Sequence, residues 1–190
     1  MNQMLEGVGP GVALGRDTTL LREIMDTAAK RINGGALTHT PEAELRLRWT
    51  IGNVYLRVVA LESAEEMLRP AVELARRIHG QEHPDVATSL HLLGRLLSQK
   101  GDYAGGESLG LQALDMRRKL LGEEHIDVAQ SLNNLALIKE NSGDFAEAEK
   151  LHREALRIRR KLLGDEHRDI VQSLSNLGDV LSRKGNDREA

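Results

Sequence analysis

The chain predicts an all-α solenoid, and two observations carry that prediction. The first is a strict internal period. His83 to Glu124 recurs as His125 to Glu166 and begins again at His167, at intervals of 42 residues (125 − 83 = 42; 167 − 125 = 42). The two complete copies agree at 21 of 42 positions, including HxDVAxSL at the front, a Gly-Asp pair in the middle and RRKLLGxE at the end. The second is apolar spacing at helical intervals: Val128, Leu132 and Leu135, then after a break Ala148, Leu151, Ala155, Ile158 and Leu162. Each unit therefore reads as two antiparallel helices that cannot bury their apolar faces alone and must stack on their neighbours.

Counting back one more period gives a diverged first copy, because Gly52 aligns with Gly94, Ala136 and Gly178, and Ala64 with Gly106 and Ala148. First helices are expected over 42–57, 84–100, 126–142 and 168–184, with second helices over 62–79, 104–121 and 146–163. Gly101-Asp102, Gly143-Asp144 and Gly185-Asn186 put glycine where a first helix must end on a left-handed residue. Gly122 stops a second helix, and an acid follows in the first turn of the next unit. Arg117, Arg118 and Lys119, like Arg159, Arg160 and Lys161, are expected as solvated ends of second helices that complement the helix dipole.

Three places depart from the regular unit. Val58-Val59-Ala60-Leu61 replaces the glycine-containing turn in the first copy, so a different turn geometry is expected there. Pro70 removes the hydrogen bond to the Glu66 carbonyl and should kink its helix, a defect of about 3 kcal/mol in a regular helix. Gly110 reads as a milder helix defect, about 1 kcal/mol against alanine. Ahead of the repeats, Asp17-Thr18 can cap a helix with Leu21, Ile24, Ala28 and Ile32 on one face, ending near Asn33-Gly34-Gly35 and covering the open end of the array. The organisation expected is a glycine-rich arm over 1–16, a capping helix over 17–35, and an array over 41–190 with units 41–82, 83–124, 125–166 and a partial 167–190.

Composition narrows the function. Net charge is −3 with both signs interspersed, which argues against a nucleic-acid partner, since phosphate binding needs a concentrated basic stripe. Trp49, Tyr55, Tyr103 and Phe145 are the four aromatic residues, too few for base-stacking platforms. The absence of cysteine removes disulfides and thiolate chemistry and suits a reducing compartment, so a cytoplasmic location is expected. No signal peptide and no membrane-spanning window is read, and membrane insertion is not expected.

Motifs that hint at catalysis or cofactors dissolve in the repeat register. His167-Arg168-Asp169 begins like a kinase catalytic loop, but His83-Pro84-Asp85 and His125-Ile126-Asp127 hold the same place, and Leu174 stands where that loop needs asparagine. Gly7, Gly9 and Gly11 do not form a dinucleotide fingerprint. His83, His125 and His167 lie about 10 Å apart by helix packing distance and cannot share one metal ion. No serine, histidine and acid cluster emerges. No enzyme activity, cofactor or metal is expected.

The small residues distinguish this array from other helical repeats. Leu135-Ala136, Ala148 and Ala155, repeated as Gly94, Gly106 and Ala113 and as Ile51-Gly52, Tyr55, Ala64 and Ala71, resemble the tetratricopeptide repeat signature. The 42-residue unit with its LGxEH, VAxSL and NNLA wording resembles the kinesin-light-chain type over residues 41–190. Lys139, Gly110 and His152 depart from that pattern, and Trp49 falls one place late. The segment from Pro10 to Ile32 is similar to the stretch preceding such repeats in large bacterial serine/threonine protein kinases, which implies a sensory or docking part of such a protein.

The resemblance implies a right-handed superhelix whose first helices line a concave, peptide-binding surface. The matching positions are Arg46, Trp49, Asn53 and Arg57; His91, Arg95 and Gln99; Gln130, Asn133, Asn134, Leu137 and Asn141; and Gln172, Ser175, Asn176, Asp179 and Arg183. Amides both donate to and accept from an extended backbone, and Arg57, Arg95 and Arg183 add capture of acidic side chains. Trp49 and His91 stand where chaperone-binding relatives are basic, so capture of a terminal carboxylate is not implied. The expected function is a noncatalytic protein-interaction scaffold holding an extended peptide or partner helix. At the C-terminal end Ile170, Leu174, Leu177, Val180 and Leu181 are too many apolar residues for one neighbouring helix to cover, so a longer array or a homodimer through this helix is expected.

Overall fold

The computed structural model describes residues 10–189, with side chains placed from 20 to 185, and every regular element among them is an α-helix. In chain order they are α1 (Pro10–Asn33), α2 (Pro41–Arg57), α3 (Leu61–His79), α4 (Pro84–Gln99), α5 (Tyr103–Leu121), α6 (Ile126–Asn141), α7 (Phe145–Leu163) and α8 (Arg168–Glu189). The seven repeat helices start and stop within a residue or so of their expected places, except at the end of α8. The chain forms two compact units, 1–67 and 68–190, and the division falls inside α3, three residues before Pro70.

Within the second unit, α4 packs on α5, α5 on α6, α6 on α7 and α7 on α8, while α4 also touches α6. Leu114, Val128, Ala129, Leu132, Leu135, Ala155 and Ile158 form one buried cluster across α5, α6 and α7. Each large apolar side chain so buried contributes about 1.5–3 kcal/mol. The small-residue positions bring backbones together: a Cβ added at Gly94 would lie 2.9 Å from the Gly106 carbonyl oxygen, and one at Gly106 2.8 Å from that of Gly94. Gly110 is not the mere defect expected, because a Cβ there would meet Leu135 Cδ2 at 2.8 Å. Its lack of a side chain is what admits Leu135.

The turns between α4 and α5 and between α6 and α7 use one recurring device. Asp102 and Asp144 accept from the backbone N–H groups of Gly105 and Glu147 at 2.9 and 3.2 Å, and Gly101 and Gly143 close the preceding helices at φ 88° and 87°. The first-copy turn, expected to differ, has the same geometry. Val59 takes the left-handed place at φ 57°, and the Ala60 N–H reaches the Tyr55 carbonyl at 2.9 Å as Asp102 N–H reaches Leu97. The backbone path is thus kept although no glycine stands there, and the valine present adopts it. At Gly185-Asn186 the expected turn is absent, since α8 runs on to Glu189.

The N-terminal helix also departs from expectation. Of the arm expected over 1–16, residues 1–9 lie outside the described residues, and from Pro10 the chain is already helical. Asp17 and Thr18 therefore fall inside α1, not at its start. Only the last turns of α1 dock: Ala29 and Ile32 are buried, whereas Leu21 and Ile24 of the expected face are exposed. Tyr55 of α2 donates to Asp26 Oδ1 at 2.5 Å, and Arg48 holds Asn33 Oδ1 at 3.0 Å. Burial and the Asp26 carboxylate push the Tyr55 phenol far up, so it stays a donor.

Candidate functional site

The residues expected to bind lie on successive first helices, and the structure divides them by accessibility. In the first unit Arg46 and Arg57 are exposed and Trp49 and Asn53 half-buried. In the second unit Gln99, Gln130, Leu137, Asn141, Gln172, Ser175, Asp179 and Arg183 are exposed, and Arg95 and Asn176 half-buried. His91, Asn133 and Asn134 are a correction: they are 5, 7 and 3 % exposed and belong to the interior. Asn133 is bonded to a neighbouring first helix, and burial closes all three to a ligand.

A polar ladder runs between these helices. Asn176 Nδ2 donates to Asn133 Oδ1 at 3.0 Å, Gln172 Nε2 to Asn176 Oδ1 at 2.7 Å, and Asn141 Nδ2 to Ser98 Oγ at 3.5 Å. The first links α6 to α8 and the last α4 to α6, while the second lies within α8. One repeat back, His91 and Asn134 occupy the places of Asn133 and Asn176 (91 + 42 = 133; 134 + 42 = 176), yet His91 Nδ1 and Asn134 Nδ2 are buried without a hydrogen bond. Burial, with Arg117 and Arg95 nearby, holds the His91 imidazole well below its ordinary pKa, so it is neutral in the fold.

The ladder is braced from below by two arginines that sequence reasoning placed in solvent. Arg117 is 4 % exposed; its Nη1 donates to Ser131 Oγ at 2.8 Å and the Asp127 carbonyl at 3.0 Å, and its Nη2 to Thr88 Oγ1 at 3.3 Å. Arg159, 5 % exposed, repeats this with Ser173 Oγ at 2.6 Å and Gln130 Oε1 at 3.0 Å. The signal for this was present in the sequence as Arg and Ser at a fixed separation of 14 in both copies, 117 with 131 and 159 with 173. Their run partners do remain outside, Arg118 on Glu123 and Glu154 and Lys161 on Glu124.

The histidines that open each unit have a local task. His83, His125 and His167 each accept, at Nδ1, the backbone N–H of Asp85, Asp127 and Asp169 at 3.1 Å. The kinase-like triplet at His167 is thus a helix cap. A second polar contact escaped sequence reasoning: His152 Nε2 lies 2.7 Å from Glu140 Oε1, and this buried pair ties α7 to α6 where the pattern has a bulky residue. Lys139, the other departure, pairs with Glu107 at 2.6 Å. No helix among the described residues is long and apolar enough to cross a membrane.

What remains open on the first helices of the second unit is a set of amides and guanidinium groups, several fixed by hydrogen bonds to neighbours. Such a surface offers donors and acceptors at regular intervals. Solved structures with this fold are repeat arrays. BtubC (BKLC) from P. vanneervenii aligns at TM-score 0.67 and 23% identity over 90% of this chain and 76% of that one. A putative kinesin light chain with nearly identical TPR-like repeats from Podosopora anserina aligns at TM-score 0.59 and 22% identity over 89% of each chain, and a substituted form of the same protein at 0.61 and 22% over 89% and 88%. No curated protein sequence matches significantly. The Tetratricopeptide repeat family matches residues 44–119, 99–161 and 127–190, and with the helix-pair geometry and the glycine and alanine crossings this places the chain in the tetratricopeptide repeat family.

Proposed function

We propose that this chain is a noncatalytic scaffold that receives an extended peptide or a partner helix on the face of its first helices. Tetratricopeptide repeats generally mediate protein–protein interaction. The observation that carries the finer reading is the exposed series Gln99, Gln130, Asn141 and Gln172 on α4, α6 and α8, whose amides suit an extended backbone. Within the second unit, half-buried Arg95 and exposed Arg183 favour acidic side chains in the ligand. The partner is a protein rather than a nucleic acid, and the cysteine-free composition suits an encounter in the cytoplasm. A photo-crosslinking residue at Gln130 or Gln172 is expected to capture a specific partner segment, and one at Lys150 on α7 to capture none. Crosslinking of the same segment only from Lys150 refutes the assignment.

A self-assembly reading rests on a separate observation. Val171, Leu174 and Leu181 of α8 are 67, 44 and 41 % exposed, an uncovered apolar strip beside the buried Ile170 and Val180. Dimerisation through it predicts that Leu174→Glu weakens a dimer seen by light scattering; a monomer at all concentrations refutes it. Membership of a larger kinase rests on the wording from Pro10 to Ile32, and kinase motifs upstream in the same reading frame are its test.

A further inference from the structure

The junction between α3 and α4 carries a histidine that the two later junctions lack. At each junction the capping histidine stands near the acid two residues on, with Nδ1 3.9, 3.7 and 3.8 Å from the carboxylates of Asp85, Asp127 and Asp169. Only the first places another imidazole beside them, because His79 occupies the position of Leu121 and Leu163 (79 + 42 = 121; 121 + 42 = 163). Gly80 follows in the left-handed region at φ 83° and turns the chain back sharply. The His79 ring thereby stacks on His83, with centroids 3.9 Å apart and planes 9° from parallel. His79 Nε2 lies 3.1 Å from Asp85 Oδ2 but makes no well-formed hydrogen bond, although the atom is buried.

We propose that His79, His83 and Asp85 form a binding site for one divalent transition-metal ion. Their ligand atoms all lie within 4.8 Å of one another. Two imidazoles with one carboxylate suit zinc or copper, whereas calcium and magnesium take oxygen ligands. The 3.1 Å between His79 Nε2 and Asp85 Oδ2 is the spacing of adjacent ligands around an ion that each contacts at about 2 Å. His83 must move to complete the set. The lone pairs of parallel stacked rings do not converge, and its Nδ1 already accepts the Asp85 N–H. Metal binding therefore unstacks the two rings and exchanges the helix cap for a metal bond, tying the last residue of α3 to the first turn of α4, with water in the remaining positions. Both imidazoles bind the ion through a neutral ring nitrogen.

The later junctions supply the controls. His79→Leu installs the residue that α5 and α7 already carry at this position, and Leu121→His rebuilds the cluster beside His125 and Asp127. Calorimetric titration of the full chain with Zn2+ is expected to give one equivalent bound, weakened about tenfold or more in His79→Leu. Leu121→His is expected to bind a second equivalent. With Cu2+, electron paramagnetic resonance should show coupling to imidazole nitrogen that His79→Leu diminishes. A chain that binds no stoichiometric Zn2+, a His79→Leu variant that binds it as tightly as the unaltered chain, or a Leu121→His variant that gains no second ion overturns the proposal.

Discussion

The turn at Val58–Leu61 and the turns at Lys100–Tyr103 and Ser142–Phe145 have the same backbone and different residues. All three close with a hydrogen bond from the residue after the left-handed position to a carbonyl five residues earlier: Ala60 to Tyr55, Asp102 to Leu97 and Asp144 to Lys139, at 2.9, 2.9 and 2.8 Å. In the later two, glycine takes the left-handed conformation without steric cost and an aspartate caps the following helix. In the first, a β-branched valine is forced into it and Ala60 brings no capping oxygen. Helix packing sets the path of the chain, and local preference sets only how comfortably it is followed. The first copy is the less well adapted, and substitutions shared across repeats can test that.

The largest effect is expected from the buried arginines, which the first copy lacks, since the fully buried Ala75 stands where Arg117 and Arg159 do. Arg117→Ala leaves Ser131 and the Asp127 carbonyl without their shared donor and opens a cavity, at a cost of about 3 kcal/mol in denaturant unfolding. A loss under about 1 kcal/mol would mean that the buried arginine does not hold the repeats together.

Next in size is a pH effect at His91. Its folded pKa lies below the unfolded value of 6.5, so below that pH the unfolded chain binds a proton that the folded chain resists. The stability it lends is present above pH 6.5 and is lost as pH falls from 6.5 toward the depressed folded value, by up to about 1.4 kcal/mol per pH unit. His91→Asn, which copies Asn133, is expected to flatten this part of the stability profile between pH 6.5 and about 5; an unchanged slope would assign it to other groups.

The smallest is the strained turn itself. Val59→Gly relieves the left-handed valine and raises the flexibility of the unfolded chain, for a net gain of about 1 kcal/mol in unfolding free energy. Gly101→Val in the second copy is expected to lose at least as much. No gain in Val59→Gly, or no loss in Gly101→Val, would show that the two turns are not alike in the way the backbone indicates.

Periodicity made the repeat helices legible, because a 42-residue identity pattern and the spacing of Val128, Leu132 and Leu135 fix both helix register and contact face. The candidate surface was only partly legible. Asparagine at 133 and glutamine at 130 look equally polar in sequence, but a difference of three positions turns one toward the neighbouring helix and leaves the other in solvent. Arg117 and Arg159 were misplaced for a related reason, since a run of three cations at a helix end hides the member that points inward. The ring stack of His79 on His83 went unnoticed because comparison by repeat register attends to what recurs, and His79 does not.

The central functional claim is that exposed amides on the first helices hold the partner while the buried ones hold the fold. The most direct test is the affinity of the Gln99→Ala, Gln172→Ala double variant for the partner segment identified by crosslinking, measured calorimetrically beside the thermal midpoint. The expected result is affinity lowered about tenfold or more with the midpoint shifted by only a few degrees, because both side chains are exposed and neither holds a buried group. Unchanged affinity, or affinity lost only in step with the midpoint, would contradict it.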